Sequence, residues 1–140
     1  MSADNVIYVL ELKDQYRIKY MSAPDNIWWS HIDGQSPSPV ASRIVGYFGK
    51  SPFFKKKDDA YKHAFKLYEK EEYVEYGVSS LCINKTWLQI LKEAREYISK
   101  EKLHIISLEY MDTSTKEEII EDLNYSYSDV LNQIVRTKGK

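Results

Sequence analysis

Cysteine is nearly absent from this 140-residue chain: Cys82 stands alone. A single thiol excludes a disulfide framework and a multi-cysteine zinc site. Cys82 sits in "SLCIN", an apolar run, and is expected as a buried structural thiol. Histidine is scarce as well. His31, His63 and His104 lie far apart, so no H-x-x-x-H pair offers a metal site, and no metal or cofactor is expected. No apolar run approaches the length of a membrane span, and no signal peptide opens the chain. The expected setting is therefore intracellular, cytoplasmic or nuclear, or inside something assembled there.

An excess of either charge is also missing. The formal net charge is −1, and residues 1–80 carry 11 Lys/Arg against 11 Asp/Glu, residues 81–140 9 against 10. Proteins that hold nucleic acid concentrate positive charge, because phosphate contacts dominate their affinity. The one basic cluster, Lys55, Lys56 and Lys57, is followed at once by Asp58 and Asp59 and reads as a solvated loop.

What the chain does have is aromatic surface: twelve tyrosines and three tryptophans, within 43% hydrophobic and 29% charged residues. That profile belongs to a globular protein of about one domain. The aromatics serve core packing first and binding surfaces second.

Periodicity supplies the elements. In "VIYVLELKDQYRIKY" a strand apolar on both faces (Val6–Leu12) meets a "KDQ" turn. A second strand follows, with Tyr16, Ile18 and Tyr20 on one face and Arg17 and Lys19 on a basic one. Asp25 can cap a short helix through "NIWWSHI", and "DGQSPSPVAS" is loop by composition. "RIVGYF" is expected as a third strand on its β-branched and aromatic content, and "GKSPFF" as a turn. A helix from near Asp58 carries Ala60, Ala64, Leu67 and Tyr68 at helical spacing and should stop by Gly77. Asn84 can cap the clearest helix, 84–100, whose stripe is Trp87, Ile90, Leu91, Ala94, Tyr97 and Ile98. "LHIISLEY" reads as a strand. Ser114 and Glu117 match a capping box before a helix through Ile119, Ile120 and Leu123, and "SYSD" restarts a last one with Val130, Leu131, Ile134 and Val135.

The order of "YVLEL", "YRIKY", "HIDG" at 31–34, "QSPS", "RIVGYF" and "DDAYKHAFKLYEKEEYVEYG" resembles the GIY-YIG endonucleases, in the versions carried by large DNA viruses. The resemblance covers about residues 5–80. It implies an α+β fold: a small three-stranded antiparallel sheet with flanking helices over 1–80. A mostly helical extension with one short strand over 81–140 would pack on it. It also implies a viral accessory protein or minor virion component.

The family's reaction is metal-assisted phosphodiester hydrolysis, with strand tyrosines at the nucleophile, a helix arginine on the phosphate and a glutamate on the metal. Matched residue by residue, that set is thin here. Tyr8 stands where the family's first tyrosine stands. Arg17, Ile18 and Lys19 occupy the second motif, and Tyr16 comes one position early, on the opposite strand face. Ile27 takes the arginine's place, Arg43 and Lys19 are out of register, and the inward helix positions hold Ala60, Ala64 and Leu67. Glu69, Glu71 and Glu72 come later, in a charged run.

The expected function is therefore a non-catalytic interaction or structural protein with a protein partner. Trp28, Trp29, Phe53 and Phe54 are its contact candidates. The alternatives are a Mg2+-dependent endonuclease with a rearranged site (Tyr8, Tyr16, Arg17, His31 and a glutamate from 69–72), and non-catalytic nucleic-acid binding through Arg17, Lys19, Lys55, Lys56 and Lys57.

Overall fold

The computed structural model describes residues 5–22, 39–71 and 74–138. Trp28, Trp29, His31, Glu72, the helix expected through "NIWWSHI" and most of the loop after it lie outside these residues. The chain divides into two compact units. The first holds the N-terminal strands together with Gly46–Trp87; the second holds the segment ending at Val45 and the chain from Leu88 onward.

The first unit is built on the hairpin. β1 (Asn5–Glu11) and β2 (Tyr16–Ser22) pair antiparallel, with Tyr8 opposite Lys19 and Leu10 opposite Arg17. The turn closes where the Leu12 N–H donates to the Gln15 carbonyl at 2.9 Å. A two-residue β3 (Phe53–Phe54) extends the sheet beside β2, so the expected "PFF" turn is a strand edge. β4 (Val78–Cys82) runs parallel to β1 on its other side, giving the order β3-β2-β1-β4. The fold is α+β as expected, but the sheet is four-stranded and mixed. The short "VSSLC" run carries too little alternation to announce a strand.

α2 (Lys57–Lys70) lies across one face of this sheet. Ala60 and Ala64 are fully buried and pack with Ile7, Val9 and Ile18; Tyr16, Tyr20, Phe54, Leu67 and Val78 surround them. Two alanines one turn apart let the helix approach the strands closely. The helix ends at Lys70, earlier than expected. Gly77 instead turns the chain into β4 at φ +65°, a conformation that glycine adopts without strain.

The remaining elements are helices: α1 (Pro39–Phe48), α3 (Trp87–Ser107) and α4 (Thr113–Lys138). α1 replaces the expected strand "RIVGYF" and the end of the expected loop. Ala41, Ile44, Val45 and Phe48 are all buried at i, i+3, i+4, i+7, so helical burial overrides β propensity, and Pro39 occupies the first position, where its missing N–H costs nothing. α3 absorbs much of "LHIISLEY". Ile105 lies one heptad beyond Ile98 and is buried, whereas Leu103 and Ile106 are exposed, a helical pattern and not an alternating one. Its cap is not Asn84: the Trp87 N–H donates to the Asp14 carboxylate in the β1–β2 turn at 3.0 Å. α4 is one continuous helix, with no restart at "SYSD". Asp112 accepts the Thr115 N–H at its start, in place of the expected Ser114–Glu117 box.

Candidate functional site

Two polar constellations stand out in the first unit, one on each face of the sheet. The register assigns them. Tyr8, Leu10, Arg17 and Lys19 share one face; Ile7, Val9, Glu11, Tyr16 and Ile18 share the other.

On the first face, Arg17 is 7% exposed, so the basic strand face expected from the sequence presents only Lys19 to solvent. Its Nε donates to Gln15 Oε1 at 2.6 Å, and its Nη1 donates to the carbonyls of Phe48 and Gly49 at 3.0 and 3.3 Å. Those carbonyls end α1, where the negative end of the helix attracts a cation; the Phe48 carbonyl also accepts the Ser51 N–H at 3.1 Å. The guanidinium lies 3.9 Å from the Trp87 ring centroid and 5.1 Å from that of Phe53. A buried planar cation in contact with two rings and bonded to neutral acceptors is a structural strut. The sequence hid it because its partners come from α1, β3 and the start of α3. Phe53 is 43% exposed, but its ring contacts this guanidinium, while Phe54 packs on the core and stacks near His63 at 5.3 Å. Tyr8 is buried beside Lys19 in register, and burial pushes its hydroxyl above the usual tyrosine range.

On the second face, Glu11 ends β1 and stands opposite Cys82 at the end of β4. Tyr61, one turn into α2, donates its hydroxyl to Glu11 and also reaches Ser80. Lys57 places Nζ 3.7 Å from the Glu11 carboxylate. Burial, then the Glu11 carboxylate, push the Tyr61 hydroxyl up to about 12. Cys82 is exposed, not buried as expected, at the end of β4, an edge strand of the described sheet. Partial burial and the neighbouring Glu11 still push its thiol up, with Lys57 opposing. A nucleophilic cysteine needs the reverse shift, so this carboxylate keeps the thiol protonated instead of activating it.

The remaining predicted residues do not converge. Tyr16 faces away from Tyr8 and Arg17, as the one-residue shift required. Lys55, Lys56 and Lys57 are exposed where they lead into α2, and Glu69 lies exposed near that helix's other end. Among the described residues, no group of three or more His, Cys, Asp or Glu is placed to hold a metal ion, and no helix is long and apolar enough to cross a membrane. Sequence reasoning missed Glu11, Tyr61 and Ser80. Tyr61's position on the apolar flank of its helix was visible, but its partner 50 residues away was not. No family model matches the chain, and neither a curated protein nor a solved structure matches it.

Proposed function

We propose that this chain is a non-catalytic interaction or structural protein built on a GIY-YIG-like scaffold and working through a protein partner. The observation that carries the reading is the fate of Arg17. The nuclease alternative needs this cation at a phosphate, yet the guanidinium is buried, lies over the rings of Trp87 and Phe53, and donates to Gln15, Phe48 and Gly49. Tyr8 and Tyr16, on opposite sheet faces, cannot act on one nucleophile. Ala60 and Ala64 hold the inward helix positions where that chemistry would need a metal-binding glutamate.

Exposed apolar residues favour an interaction role: Phe65, Tyr68 and Tyr76 in the first unit, Leu103, Tyr110 and Tyr125 in the second. The test is incubation of purified protein with single- and double-stranded DNA across Mg2+ and Mn2+. No cleavage above a protein-free control is expected, together with a protein complex recovered from the native source. Metal-dependent cleavage that an Arg17 substitution abolishes while the fold survives would overturn the proposal.

A further inference from the structure

The end of α3 and the start of α4 carry apolar and acidic surface that the fold does not use. Leu103 and Ile106 stand one turn apart on α3 and are 68% and 50% exposed; Tyr110, in the connection that follows, is 85% exposed. The Lys116 ammonium donates to the Ile106 carbonyl at 3.2 Å, which sets the first turn of α4 against the last turn of α3. On α4 an exposed row follows at i, i+4, i+7: Glu118, Asp122 and Tyr125. Glu117 and Glu121 are exposed beside it.

Charge is not balanced here. Residues 100–125 hold three lysines against seven Asp/Glu, a net of −4 within a chain of −1. One of the three, Lys116, is turned to the Ile106 carbonyl. None of the four α4 carboxylates forms an ion pair among the described residues. Nor do they serve the helix that carries them. A helix start favours carboxylates within its first turn, which holds none, and these stand in the second and third turns.

The sign of that charge selects the occupant. Nucleic acids and anionic lipid headgroups carry the same sign and are repelled. A second copy seated on this surface would set −4 against −4 across a two-fold axis. Residues 23–38 contain no lysine or arginine, so that segment of the chain brings no counter-charge. We propose that this surface docks a basic amphipathic helix of another protein. Its lysines or arginines, at helical spacing, meet Glu118, Asp122 and their neighbours, and its apolar side packs on Leu103, Ile106 and Tyr110. The inference rests on the interaction reading and names the chemistry of its partner; DNA cleavage decides that reading, and a peptide titration decides this one.

The probe is a fluorescent synthetic helix of about 20 residues, leucine on one face and lysine on the rest, titrated with the full chain at about 0.15 M salt. Saturable binding is expected by anisotropy. It should weaken about tenfold or more in Glu118→Lys with Asp122→Lys, and again in Leu103→Ser with Ile106→Ser. All four side chains are exposed, so far-UV circular dichroism should not change; should the serine pair unfold, the charge pair decides alone. Asp58→Lys with Glu69→Lys makes the same change of net charge on α2 and should leave the affinity within about twofold. Absence of saturable binding, equal binding of a helix with glutamate in place of lysine, no weakening by the α4 pair, or equal weakening by the α2 pair would overturn the proposal. So would wild type that sediments at twice the 16.5 kDa chain mass and returns to one chain mass in the serine pair, since a second copy would then hold the surface.

Discussion

Replacing Arg17 by methionine would keep much of the side chain's length and remove its donors, leaving the Phe48 and Gly49 carbonyls and the Gln15 amide oxygen without this partner. Losing the charge and leaving buried neutral acceptors short of a donor is expected to cost about 1–3 kcal/mol. Arg17→Lys should recover little of this, because an ammonium can neither fork between acceptors nor match the guanidinium's contact with the Trp87 ring. The midpoint and slope of urea unfolding measure both. Tyr61 gives a pH signature. Its hydroxyl is pushed up to about 12 in the fold, against about 10 in an unfolded chain. A raised value stabilises the fold below the unfolded pKa, and that contribution drains away as pH climbs from about 10 to about 12. Melting temperature should fall across that window, and Tyr61→Phe should flatten the fall. At Cys82 the exposed thiol is expected to react with a maleimide without denaturant. Glu11→Gln should speed the reaction at neutral pH and Lys57→Ala slow it, since the carboxylate raises the thiol and the ammonium lowers it.

Elements are where the sequence was read best and worst. The hairpin and the Ala60–Ala64 face of α2 were legible because one period dominated each: alternation in the first, helical recurrence in the second. "RIVGYF" carried two signals at once, β-branched composition and an i, i+3, i+4 stripe, and composition misled. Arg17 misled for a different reason. A charged residue alternating with apolar ones implies a solvent face, and nothing local shows that α1 ends in carbonyls waiting for it, 31 residues away. The same non-locality governs capping. Asp14, in the hairpin turn, holds the first N–H of α3 across 73 residues. Asp14→Ala is expected to cost about 1 kcal/mol and Asp14→Asn clearly less, as for other helix caps, which thermal unfolding of the two variants would compare.

For the whole molecule, charge balance carries a prediction of its own. With a net charge of −1 and Arg17 closed off, Lys19 and Lys55–Lys57 are the exposed cations left from the nucleic-acid candidates, and Asp58 and Asp59 offset the cluster. Labelled duplex DNA should show no rise in fluorescence anisotropy even at low salt, where phosphate contacts are strongest. Saturable binding that weakens steeply with salt would contradict this.

The parallel pairing of β1 with β4 also fixes an order of events during synthesis. β2 follows β1 directly and can zip onto it early, but the other side of β1 must wait until Val78–Cys82 has been made. Everything between, including α2, leaves the ribosome first. Such non-local closure is slow compared with helix or hairpin formation. A nascent chain stalled before Val78 would therefore display β1 half-paired, a transient template for chaperones or for the wrong strand.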